Sequence, residues 1–188
     1  MPYTSIRPYF TTALLLLACH LPLQAAEHEH KHEHRQHGAH EHGSAKLLLA
    51  TEDNQLHIEF KSPAMNIVGF EHAAENSEQI KRISEATALL TNGEKVFALP
   101  AAADCKLQDS EVENGQHSPN DKKMAASESH SEFHVTYRYL CGNIQALDHI
   151  DVQLFVLFPG TEDIDAEIFT DKGQKAQELS AKDRRIKL

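Results

Sequence analysis

Residues 133–141 read FHVTYRYLC, and their alternation decides what kind of domain this chain forms. Phe133, Val135, Tyr137 and Tyr139 are apolar or aromatic at every second place, with His134, Thr136 and Arg138 between them. Successive side chains of a strand point to opposite faces, so this period predicts a strand with one face in a core and the other toward water. Downstream, Ile150, Val152, Leu154, Val156 and Phe158 continue the pattern as far as Pro159-Gly160. Ile164, Ala166 and Ile168 then precede a turn at Asp171-Lys172-Gly173. Upstream, residues 45–50 are apolar enough for a strand. Leu56, Ile58 and Phe60 alternate with His57 and Glu59, which puts His57 on the polar face. Pro63 ends that run, and residues 65–70 read as a loop or short turn around Gly69.

From Asn76 the period becomes helical. Ile80, Ile83, Ala86 and Leu90 recur on one face, Asn76 with Gln79 resembles a capping box, and Glu78 can pair with Arg82 one turn on. Gly93 is the expected C-terminal stop. Several short strands with turn punctuation and one main helix predict an antiparallel β-rich α+β domain over residues 44–188. No glycine-rich phosphate loop follows a strand, which argues against a nucleotide-binding α/β fold. Residues 109–131, DSEVENGQHSPNDKKMAASESHS, are charged and poor in apolar side chains, and read as a mobile insertion in that domain.

The chain has 188 residues, enough for one ordinary domain with its own core. With tryptophan absent and aromatics at 6%, that core must rest on Leu, Ile, Val, Phe and Ala. The formal charge of −10 disfavours nucleic acid and anionic membranes and favours cations as partners.

Residues 1–26 read as an export signal: Arg7 supplies the positive end, residues 12–23 an apolar run too short to span a bilayer, and Ala25 and Ala26 a small-residue cleavage site. Leu16-Leu17-Ala18-Cys19 also looks like a bacterial lipoprotein box, so membrane attachment through a lipidated Cys19 is the alternative. Either reading places the domain outside the cytoplasm. Of the three cysteines, Cys105 and Cys141 then remain as an even pair, expected to form a disulfide in an oxidising compartment. Two zinc-binding thiolates are the competing reading, without the C-x-x-C spacing that would favour it.

Directly behind the leader, residues 27–43 read EHEHKHEHRQHGAHEHG, seven histidines in seventeen positions with nothing large and apolar to bury. A neutral imidazole nitrogen is the commonest protein donor to zinc, copper and nickel. At H-x-H spacing in extended chain, His28, His30, His32 and His34 share one side of the backbone, and Gly38 and Gly43 let the chain bend His37, His40 and His42 back toward them. The segment is expected to be a flexible, disordered arm that gathers three or four nitrogens around an ion in several exchangeable sets. Zinc is the expected metal, with copper or nickel able to compete in vitro. Weaker candidates are His117, His130 and His134 in and beside the insertion, where His130, Glu132 and His134 alternate, and His72 beside Glu71. His57 and His149 read as surface or boundary residues. No H-E-x-x-H pattern and no nucleophile elbow occurs, so catalysis is not expected.

The leader, RQHGAHEHGSAKLLLA, KSPAMNIVGFEHA at residues 61–73 and the FHVTYRYLC strand together resemble the ZrgA family of zinc-regulated periplasmic zinc-binding proteins. That resemblance implies a bacterial periplasmic protein made under zinc limitation. It would assist uptake alongside the solute-binding component of a zinc ABC transporter. By position, the amino-terminal histidines match the family's first metal-binding stretch and residues 109–131 its central one. Here the central stretch keeps only His117 and His130, which shifts the burden to the arm. Two other functions fit the same residues: a buffer or detoxifier of zinc, copper or nickel, and an interaction domain whose contacts depend on metal or pH.

Overall fold

The computed structural model describes residues 41–115 and 131–188. The leader, the arm histidines from His28 to His40, and His117 and His130 lie outside the described residues. In chain order the elements are β1 (Ser44–Glu52), β2 (Gln55–Pro63), α1 (Ala64–Val68), α2 (Ser77–Thr91), α3 (Gly93–Val96), β3 (Phe97–Ala98), β4 (Cys105–Asn114), β5 (Glu132–Cys141), β6 (His149–Val152), α4 (Leu154–Leu157), β7 (Asp163–Thr170), β8 (Gly173–Ser180) and β9 (Arg185–Lys187). Six strands form one sheet in the order β4-β5-β2-β1-β7-β8, and β3-β6-β9 form a second. Every pair is antiparallel except β1 with β7. The domain is therefore α+β and β-rich, with α2 as its main helix.

The large sheet is two-sided as the alternation predicts. Leu47, Leu49, Leu56, Ile58, Phe60, Phe133, Val135, Tyr137 and Ile164 are buried on one face. Lys46, Thr136, Arg138 and the half-buried His57, Glu59, Lys61 and His134 occupy the other. The buried face is covered by α2 and the small sheet. The Tyr137 hydroxyl donates to the Leu90 carbonyl of α2 at 2.6 Å, and the Phe97 ring of β3 meets Tyr137 edge-on with centroids 5.3 Å apart. A one-residue slip of β5 would turn all four of its inward aromatic and apolar side chains to water, so register is tightly specified.

Several local expectations are corrected. Residues 65–70 are not a loop: they contain the single-turn helix α1, closed by Gly69 in the left-handed region at φ 84°. The apolar run 150–158 is not one strand, because β6 ends at Val152 and α4 follows. A helical turn buries Leu154, Phe155 and Phe158 and leaves Val156 62% exposed, which strand periodicity alone does not separate. On α2 the cap forms as expected: Asn76 Oδ1 accepts from Gln79 N–H at 3.0 Å, and Arg82 reaches Glu78 at 2.7 Å. Ile80, however, is 59% exposed, since the first turn of α2 overhangs the core that Ala86 and Leu90 enter. Gly93 does not terminate α2. It begins α3 after the Asn92 cap, and a Cβ there would lie 2.3 Å from the Tyr139 hydroxyl, so close approach explains the glycine.

The stretch beginning at Asp109 is still strand. Asp109 to Asn114 pair with Arg138 to Phe133, past a bulge after Leu107. As an edge strand, β4 keeps charged side chains toward water, which blunts unwanted pairing and also makes it look like loop in composition. Cys105 and Cys141 face each other across β4 and β5 and are joined by a disulfide.

Candidate functional site

Two groups of histidine and carboxylate side chains stand on the described domain. The first is at the corner where β1 begins. Ser44 N–H donates to the Glu41 carbonyl at 3.1 Å, closing a turn that contains His42 and Gly43. Gly43 sits at φ 91°, and a Cβ there would come within 3.2 Å of the Glu162 side chain, so this turn requires glycine on two counts. Buried Asn66 of α1 fastens it: its Oδ1 accepts from Gly43 N–H at 2.8 Å, and its Nδ2 donates to the Ser44 carbonyl at 3.0 Å. The Gly43 carbonyl accepts in turn from Glu162 N–H at 2.7 Å. Asn66→Ala leaves buried backbone groups of Gly43 and Ser44 without this partner and is expected to cost about 2–3 kcal/mol in chemical unfolding.

So held, His42 presents Nε2 3.2 Å from Oε1 of Glu71; the histidine side chain is 56% exposed and the glutamate 9%. The Glu71 backbone is fixed independently, its carbonyl accepting from Ser131 N–H at 3.2 Å and from Ser131 Oγ at 2.8 Å. One residue thus ties the end of the histidine-rich stretch by its side chain and the chain entering β5 by its backbone. His72 follows it on the surface. Its Nδ1 lies 2.8 Å from the Ala73 carbonyl, which can only accept, so Nδ1 carries the hydrogen and Nε2 the lone pair of the neutral ring. The ring leans on buried Phe70 with centroids 5.1 Å apart.

The second group lies on the open face of the large sheet, where register places Glu113, His134 and Lys61 side by side on β4, β5 and β2. His134 Nε2 is 2.9 Å from Glu59 and its Nδ1 3.4 Å from Glu113, while Lys61 Nζ is 2.6 Å from Glu59. The Lys61 hydrogen bond, with the nearby charges of Lys61 and His134, holds the Glu59 carboxyl below its ordinary value despite partial burial; Glu59 raises Lys61 in return. A carboxylate so depressed stabilises the fold above the ordinary carboxylate range, and that contribution is lost as pH falls through its folded value. Glu59→Gln should therefore flatten the loss of stability on acidification below about pH 4.5, by less than about 1 kcal/mol after solvent screening. A urea-unfolding series between neutral and acid pH reads that difference.

The two groups differ chemically. His134 addresses different carboxylates with opposite edges of its ring, so those donors cannot converge on one ion, and Lys61 already supplies a cation. His57 stays at the sheet surface, and His149 pairs with Asp148. Asp151 is engaged by Arg185 through two bonds of 2.7 and 2.8 Å. Among the described residues no group of three or more histidine, cysteine or acidic side chains is assembled around a single point. Of the candidate ligands, His42, His72 and His134 are placed, and His42 meets Glu71, the neighbour of His72 in sequence. The His42–Glu71 contact was not visible in sequence, where Glu71 stood out only as the neighbour of His72. The partners of His134 follow from strand register, which the alternating pattern does not supply.

The family sequence model described as "ZrgA family zinc uptake protein" matches residues 39–188. The chain belongs to the ZrgA family. That match spans the whole described fold and both groups above, and it begins three residues before His42, leaving His28 to His37 outside. Among curated proteins, no sequence matches the chain. Membership in ZrgA ties the chain to zinc uptake. Among the described residues no helix is long and apolar enough to cross a membrane.

Proposed function

We propose that the chain is a periplasmic zinc-binding protein, not an enzyme, which captures zinc on the histidine-rich stretch of residues 27–43 and passes it to the solute-binding protein of a zinc ABC transporter. The observation that carries this reading is a zinc-uptake family match over the folded domain with seven imidazoles in the residues leading into it. The leader-like residues 1–26 and the Cys105–Cys141 disulfide support an oxidising compartment outside the cytoplasm. The role assigned to residues 27–43 is capture: many imidazoles close together in sequence offer several overlapping donor sets, each weak enough to release its ion.

Hand-over is tested with the mature chain and a zinc solute-binding protein in size-exclusion chromatography. A complex that forms with zinc and dissolves with chelator is expected. Association indifferent to chelator would replace hand-over with a metal-independent contact, and no association at any zinc level would leave buffering.

A further inference from the structure

We propose that Asn92 is a self-modification site, at which water converts the side-chain amide to aspartate and isoaspartate through a cyclic imide formed with the backbone nitrogen of Gly93. The inference does not depend on the zinc-binding reading above.

Two structural demands set the reactive pair side by side. Asn92 joins α2 to α3: its N–H donates to the Leu89 carbonyl at 3.1 Å, and its Oδ1 accepts from Lys95 N–H at 3.2 Å. The next position has room only for glycine, because a Cβ there would run into the Tyr139 hydroxyl. The junction thus places a glycine directly after an asparagine. With no side chain on the following residue, its nitrogen approaches the asparagine Cγ unhindered.

Each participant is in the state that the reaction needs. α3 begins at Gly93, so its N–H has no carbonyl to meet in that helix, and among the described residues no other acceptor takes it. Asn92 is exposed, so hydroxide can remove the Gly93 proton and water can reach the imide. Attack on Cγ moves negative charge onto Oδ1, which already accepts from Lys95 N–H, and a donor fixed there stabilises the charge as it develops. The bond from Gly93 N to Cγ forms, the bond from Cγ to Nδ2 breaks, and Nδ2 leaves as ammonia with a proton from water. Water then opens the imide. Cleavage at Cγ gives aspartate on the original backbone, and cleavage at the backbone carbonyl of residue 92 gives isoaspartate, whose main chain runs through the side chain. Water enters, ammonia leaves, and nothing is oxidised or reduced.

A second Asn-Gly pair in the same chain is the internal comparison. Asn114 and Gly115 stand at the end of β4, where Gly115 N–H donates to the Glu132 carbonyl at 2.9 Å. That nitrogen must leave its partner before it can attack, whereas the nitrogen of Gly93 need not. Asn76 is exposed as well, but Ser77 follows it and its Cβ crowds the approach.

The test keeps the mature, oxidised chain in mildly alkaline water labelled with heavy oxygen for several days, then maps its peptides by mass spectrometry. Residue 92 is expected to become an acid carrying one labelled oxygen, in both isomers. Asn114 should change at least about fivefold more slowly, the factor that one ordinary backbone hydrogen bond imposes on a step that must break it. The same incubation in denaturing urea should bring the two rates together, since unfolding frees Gly115. Asn92→Ser, which keeps a capping oxygen, should abolish the change at residue 92 and leave the rate at Asn114 as it was. An unchanged Asn92 in the folded chain, or equal rates at Asn92 and Asn114 there, overturns the proposal.

Discussion

Replacing both Cys105 and Cys141 by alanine is expected to lower the free energy of unfolding by about 3–4 kcal/mol, and the midpoint of thermal unfolding by on the order of 10 °C. The bridge closes a loop across a sequence separation of 36, containing the rest of β4, residues 116–130 and most of β5. Opening it returns that loop's conformational freedom to the unfolded chain. Beyond its ladder with β5, the edge strand β4 is held by the Ser110 hydroxyl donating to the Thr91 carbonyl at 2.9 Å and by Leu107 and Val112 against the core, while its Arg138–Asp109 contact is a 3.5 Å pair in water, of the kind that contributes at most about 1 kcal/mol. Cys141 is also buried, so truncation forfeits packing as well. Denaturant unfolding of the oxidised chain, the reduced chain and the double variant checks this: the reduced chain should fall well below the oxidised one, and the double variant below the reduced chain by the packing lost at Cys141. A difference under about 1 kcal/mol would show that the sheet holds β4 without the bridge.

Zinc uptake should be lost on mild acidification, by a factor far larger than any change in stability. An imidazole with an ordinary pKa of about 6.5 is mostly neutral at about pH 7, and only about one in thirty is neutral at about pH 5. Each ligating histidine must be neutral, so a site with two loses several hundredfold in apparent affinity over that interval, and one with three on the order of ten-thousandfold. The carboxylates that support the fold, Glu59, Asp148 and Asp151, are all held below their ordinary values and stay ionised throughout. The domain should thus remain folded while its metal leaves. Competition with a chromophoric zinc chelator at several pH values, read beside circular dichroism, separates the two. Affinity that fell less than tenfold would mean that carboxylates rather than imidazoles carry the zinc.

The strands with one buried face were legible because period two is a local signal: β1, β2, β5 and β7 all bury every second residue. The cap and first ion pair of α2 were legible for the same reason, since donor and acceptor lie three or four residues apart. Edge elements were not. The outer half of β4 alternates only between half-buried and exposed positions, and two of its inward residues, Ser110 and Asn114, are polar, while β8 is mostly solvent-facing, so neither shows apolar residues at every second place. A run such as Leu154 to Phe158 is apolar enough to satisfy either period, and only tertiary packing turns it into a helical turn. The parallel pairing of β1 with β7 joins segments more than a hundred residues apart and has no local sign at all. The candidate site divides the same way. Imidazole density announces the arm, and the even cysteine pair announces the disulfide. The meeting of His42 with Glu71 depends on a turn fastened by Asn66, a residue whose importance lies in three hydrogen bonds across the fold.

The central claim is that most of the zinc is carried by the imidazoles of residues 28–40. Its most direct measurement is calorimetric titration of zinc into the mature chain at neutral pH, beside the chain with His28, His30, His32, His34, His37 and His40 replaced. The account predicts several ions bound by the first and markedly fewer by the second. Equal stoichiometry and equal heats in both chains would contradict it.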